Sequence, residues 1–123
     1  MKKKIAIGVL ILLVLIQFIP VDTTNPTVDT QKDFIIITKA PQEVAQILKT
    51  SCCDCHANET AYPWYFKIAP VSWWLKNHIN EGRRELNFST WGDYTAKRKD
   101  KKMKESIKMV QEGEMPMWSY TLV

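Results

Sequence analysis

The residues best suited to chemistry are consecutive: Cys52, Cys53, Asp54, Cys55 and His56. The chain has 3 cysteines, and all of them fall in this run. A disulfide framework needs cysteines in pairs that are far apart, so an odd, clustered set implies local chemistry instead. Cys52, Cys55 and His56 form the one C-x-x-C-H run in the sequence. That spacing attaches c-type haem. The two thiols add to the two vinyl groups of the macrocycle along one edge, and the adjacent imidazole reaches the iron from the proximal side. Cys53 lies inside the pair and cannot replace Cys52 without shortening the spacing to Cys55. A thioredoxin-like C-x-x-C pair is expected near a βαβ pattern, and the surrounding pattern here is helical. A zinc site needs further ligands, and no second cysteine or histidine pair has ligand spacing.

A sixth iron ligand has two candidates. His78 is the other histidine and lies on the apolar side of a helical stretch. Met115 precedes Pro116 far downstream, where the chain can cross to the opposite haem face, as methionine ligands in cytochromes c do. Pro116 restricts the chain there. Met115 is therefore expected to be the ligand, with His78 the alternative. Met117 offers the same chemistry as Met115. Trp64, Tyr65, Trp73, Trp74, Trp91, Trp118 and Tyr120 are expected to pack around a ring system. Arg83 and Arg84 are candidates for pairing with haem propionates.

These residues need helices to hold them. Pro41 suits a first helical position, and Val44, Ile47, Leu48 and Cys55 share one side, so a first helix runs into the cysteine cluster. Tyr62-Pro63-Trp64 and Ala69-Pro70 break the chain. Val71, Trp74, Leu75, His78 and Ile79 mark a second helix, which Gly82 should close. Asn87 to Asp93 reads as a loop carrying Phe88 and Trp91. A third helix covers Thr95 to Glu112, with Met103, Ile107 and Val110 as its stripe and Gly113 at its end. Phe34 to Ile37 reads as an extended segment lying on the core. The fold class is all-α: a small cytochrome-c-like helical domain over residues 41–123. It follows a signal sequence or membrane anchor over 1–20 and a linker or extended segment over 21–40. Three short helices bury little surface, and a large apolar prosthetic group would supply much of the missing core.

The N-terminus has its own logic. Lys2, Lys3 and Lys4 precede the apolar run Ile5–Pro20, which only Gln17 interrupts. A basic start before an apolar run is an export signal. The small-residue cleavage site is weak, so an uncleaved anchor is expected, with the lysines in the cytoplasm and the rest on the periplasmic side of the inner membrane; the alternative is a cleaved signal that leaves the domain free in the periplasm. The formal charge of +4 comes from 17 Lys and Arg against 13 Asp and Glu, and without the three leading lysines the remainder is close to neutral. Nothing points to nucleic acid. The run of Lys97, Arg98, Lys99, Lys101, Lys102 and Lys104 reads as a solvated helix face, or as a docking patch for an acidic redox partner of unknown identity.

From Ala45 to Val123 the sequence resembles a family of small exported bacterial haem-binding domains. The resemblance rests on Ser51 to Thr60, Tyr62-Pro63-Trp64-Tyr65, Ala69 to Trp73, Glu81-Gly82-Arg83, Leu86 to Ser89 with Trp91, and Gly113-Glu114-Met115-Pro116 with Tyr120. It implies a compact helical, cytochrome-c-like module with one haem c, held by Cys52, Cys55 and His56, and no defined reaction. Family members continue past the Met-Pro block into a further helix, whereas this sequence stops at Val123. Either the third helix packs against the first, or the chain is cut short. The expected function is covalent haem binding and electron transfer, with no catalytic residues. The alternatives are a haem-based sensor or peroxidase-like enzyme with an open distal position, and a haem-free thiol oxidoreductase using Cys52 and Cys55.

Overall fold

A computed structural model describes residues 1–121 and is all-helical, with no strand among them. Helix α1 spans Lys2–Leu15 and continues as a 3-10 turn over Ile16–Phe18. A helix that is apolar on every side has no single face to pack. Accordingly α1 buries none of its residues. A polar segment follows and ends in a 3-10 turn, Thr30–Lys32, capped by Asp29.

Phe34–Thr38 is a short helix, α2, and not the extended segment expected from its β-branched composition. The reason lies one residue earlier. Asp33 takes an extended conformation and its carboxylate accepts the Ile35 and Ile36 backbone N–H groups, which caps the helix. A cap of this kind outweighs a modest propensity difference. The helix does lie on the core. Phe34 is 7% exposed and packs between Phe88 (ring centroids 5.3 Å) and Trp91 (5.0 Å, edge-on). Leu86 and Tyr94 complete this aromatic cluster. The stretch read as a loop is thus a 3-10 segment, Phe88–Asp93, that supplies Phe88 and Trp91 to this cluster.

Helix α3, Gln42–Ser51, runs towards the cysteines as expected and breaks at Cys52, whose φ of −128° leaves the helical range. Helix α4 is a single turn, Cys53–His56. Leu48 of α3 reaches the core, but Val44 and Ile47 of the same stripe are exposed. Helix α5, Val71–Glu85, runs one turn beyond Gly82, so that glycine sits inside the helix and does not close it. Helix α6, Ala96–Gln111, is capped by Thr95. It ends at Gly113, whose φ of +73° lets the Glu114 N–H return to Met109 O and the Gly113 N–H to Val110 O. This is the Schellman arrangement that glycine permits. No residue of α6 is buried, and Met103, Ile107 and Val110 face outward. The packing of third helix on first is not what holds this fold together. Its centre is α2, α4, α5 and the Phe88–Asp93 segment.

Because Phe34 joins both halves of the aromatic cluster, Phe34→Ala should cost about 3–5 kcal/mol. Denaturant unfolding checks this, and a loss below about 1 kcal/mol would place the core elsewhere.

Candidate haem site

The motif is built by a break and a crossing. Where α3 stops at Cys52, its carbonyl accepts the His56 N–H at 2.9 Å, and this bond closes the α4 turn. Cys52, Cys55 and His56 are all half-buried on that turn. Helix α5 crosses directly over it. A Cβ on Gly82 would lie 2.7 Å from Cys55 O and 3.2 Å from Cys55 Cβ, so only a residue without a side chain allows this approach.

The crossing sets the imidazole. His56 Nδ1 lies 3.0 Å from Gly82 O and 3.0 Å from Leu86 O. Carbonyl oxygens only accept, so Nδ1 carries the hydrogen and the lone pair is left on Nε2. A metal-ligating histidine is oriented in this way, with one ring nitrogen donating to a fixed acceptor and the other presented to the metal. The ring also meets Phe88 edge-on at 6.4 Å, which ties it to the aromatic core.

The loop after His56 is held from below. Asn58, Asn87 and Ser89 are buried and interlocked: Asn87 Nδ2 donates to Asn58 Oδ1 at 2.8 Å, and the Asn58 N–H to Ser89 Oγ at 3.0 Å. Asn58 Nδ2 reaches back to Thr27 O at 3.1 Å. Arg83 serves the same loop. Its Nε donates to Ala57 O at 2.8 Å, and Nη2 to Thr60 Oγ1 and Asn25 Oδ1, both at 2.8 Å. The expected propionate partner is therefore a clamp within the protein. Arg84 points outward to Glu81 and Glu85 on the surface. The sequence reading missed the Asn58–Asn87–Ser89 network. Its signal was present in the two blocks Asn58–Thr60 and Asn87–Ser89, each offering short polar side chains beside an apolar residue.

The three thiols differ in surroundings. Burial pushes Cys52 and Cys55 above the usual thiol range, and burial with neighbouring acidic charge pushes Cys53 up to about 11. All three stay protonated at neutral pH, the opposite of the electropositive setting that activates a thiol nucleophile. Cys53 lines a cleft with Val28, Asp33, Ile35 and Glu59, a cleft that Cys52 and Cys55 do not line.

Asp54 occupies the other variable position of the motif and gathers the chain around it. Its backbone oxygen accepts Thr60 Oγ1 at 2.6 Å, Oδ1 accepts the Ala61 N–H at 3.0 Å, and Oδ2 accepts the Tyr120 hydroxyl at 2.7 Å. Burial, then that carboxylate, raise the Tyr120 phenol well above its ordinary range, so it remains a donor. The tail carrying Met115 is thereby fastened to α4. Met115 is half-buried just beyond the α6 terminus, its N–H bonded to Met109 O. His78 lies on α5, edge-on to Trp74 with ring centroids 4.4 Å apart. His56 forms its hydrogen bonds with Gly82 and Leu86, not with either candidate sixth ligand.

The donor set fits a haem. One imidazole nitrogen is held and its partner is available, two protonated thiols flank it on the same turn, and the long helices keep apolar side chains uncovered. These include Ile47, Trp74, Ile107 and Val110.

Gly82→Ala should lower stability by about 1–3 kcal/mol, because overpacking against the Cys55 backbone outweighs the gain in helix propensity. Thermal or denaturant unfolding measures it. A more stable variant would show that α5 does not cross α4 at contact distance.

No curated protein and no solved structure matches the chain. The haem-binding domain family matches it over residues 11–123, from the middle of α1 through the motif and the tail. With that match spanning nearly the whole sequence, the chain belongs to the haem-binding domain family.

Proposed function

We propose that this protein is a mono-haem c-type electron-transfer module with a cytochrome-c-like arrangement, held at the periplasmic face of the inner membrane by α1. The observation that carries the haem assignment is the imidazole of His56, fixed by two carbonyls so that Nε2 is the free ligand atom. Cys52 and Cys55 would hold the macrocycle through one thioether each, the sulfur adding to one vinyl carbon and the thiol hydrogen to the other, an addition that needs no oxidant. When bound, haem supplies a one-electron couple at iron whose potential depends on axial ligands and burial.

The residues of the chain divide the remaining work. His56 is the proximal ligand, and α5 orients it. Arg83 and the Asn58–Asn87–Ser89 network hold the loop on which His56 ends, so the ligand cannot drift. Met115 would supply the second axial donor to the iron. The support for it is the Tyr120–Asp54 bond, which ties the segment following Met115 to the motif. His78 is already engaged with Trp74. A thiol oxidoreductase is disfavoured by the raised thiols. Export and anchoring are supported by Lys2, Lys3 and Lys4 at the start of α1 and by the apolar, unburied remainder of that helix.

Protein made in a host with haem c maturation machinery should keep its haem through denaturing electrophoresis. Cys52→Ala and Cys55→Ala should each weaken that retention, while Cys53→Ala should preserve it. Loss of haem from the wild type on denaturation would rule out covalent attachment.

The oxidised protein should show a weak far-red sulfur-to-iron absorption that Met115→Ala abolishes and His78→Ala leaves. If the band is missing in the wild type and His78→Ala converts the iron to high spin, the second ligand is an imidazole. Ready binding of carbon monoxide by a five-coordinate wild type would favour the sensor reading.

A further inference from the structure

The apolar helix is attached to the domain at one defined edge. The side-chain amide of Gln17 pairs with the Ala69 peptide: Nε2 donates to Ala69 O at 2.9 Å, and Oε1 accepts the Ala69 N–H at 3.0 Å. Trp73 Nε1 donates to Ile19 O at 3.4 Å. Two opposed bonds fix the plane of an amide, so the end of α1 has a set position beside the Trp64–Lys67 turn and the start of α5. The segment beyond it is also tied down, since Asn25 bonds to Arg83 and to Thr60 O.

Around that joint the surface is apolar. Phe18 is 79% exposed, Trp64 75% and Ile68 43%. Lys67 stands exposed among them. Phe66 of the same turn is buried, so the turn has a firm inner side and an uncovered outer one. Exposed tryptophan beside the end of an apolar helix is what the membrane–water interface selects.

The length of α1 sets how such an edge would sit. Among the described residues no helix is long and apolar enough to cross a membrane. At about 1.5 Å per residue, the apolar stretch from Ile5 to Ile19 reaches roughly 22 Å, against a hydrocarbon core of about 30 Å. A short embedded helix thins the bilayer locally and draws its flanking groups inward. On one side those groups are the lysines, whose stems can stretch to the surface. On the other side they are the residues of the Gln17 joint.

We infer that the edge formed by Phe18, Trp64 and Ile68 inserts into the headgroup region of a phospholipid bilayer, so that the domain lies against the membrane and does not swing on a tether. This rests on the membrane placement proposed above. The test uses the full haem-loaded chain in phosphatidylethanolamine–phosphatidylglycerol vesicles. A photo-crosslinking residue is placed singly as Leu10→benzoylphenylalanine, Trp64→benzoylphenylalanine or Trp118→benzoylphenylalanine. Trp118 is as exposed as Trp64 at 75% but is not bonded to α1. An unchanged haem spectrum reports that each variant is folded. Lipid adducts are expected at Leu10 and at Trp64, several-fold above Trp118. Adducts at Leu10 with none at Trp64, equal yields at Trp64 and Trp118, or Trp64 adducts to a second copy of the chain each overturn the edge while leaving the anchor intact. Absence of lipid adducts at all three positions overturns both readings.

Discussion

The approach of α5 to α4 at Gly82 is the constraint on which the rest depends. It lets two carbonyls from the end of one helix, Gly82 and Leu86, meet a single imidazole nitrogen from the end of another. Helix ends carry carbonyls that lack intrahelical partners. Here the Leu86 carbonyl, just past the end of α5, is such a group and meets His56, so a need of the helix end and a need of the histidine are met by one bond. The Gly82 carbonyl also accepts the Leu86 N–H that ends α5, so the turn cannot unwind without releasing the ring.

The aromatic cluster and the polar network are two layers under that crossing. Phe88 touches the imidazole on one side and Phe34 on the other. One residue to either side of Phe88, Asn87 and Ser89 bind the loop that follows the motif. A short 3-10 segment therefore supports both the ring and its loop. No buried side-chain nitrogen or oxygen lacks a partner among the described residues. A fully satisfied polar network beside an apolar core defines one geometry, since any shift leaves a buried group unpaired.

The motif, the three helices after residue 40 and the end of the last of them were legible because each depends on local chemistry: spacing for the cysteines, periodicity for the helices, Gly113 for the end of α6. What was not legible depends on residues distant in sequence. Gly82 reads as a helix terminator by habit of composition, and only the presence of Cys55 beneath it explains a glycine inside a helix. Arg83 reads as a ligand for an anion, because its real partners, Ala57, Thr60 and Asn25, are not near it in the chain. Phe34–Thr38 was misread for a smaller reason: the branched side chains outweighed the capping Asp33 in the reading, whereas the fold obeys the cap. The exposed stripe of α6 shows that helical periodicity marks an apolar face without saying what covers it.

The bond between Asp54 and Tyr120 has a consequence for the order of events in synthesis. A chain emerges N-terminus first and folds as its parts become available. Cys52 to His56, α5 and the Phe88–Asp93 segment all precede Tyr120 in the chain, and the bonds of His56 to Gly82 O and Leu86 O need nothing from the tail. The strap that holds the tail is one phenol, which meets both Thr50 O and the Asp54 carboxylate, so a single hydroxyl ties the tail to the end of α3 and to α4 together.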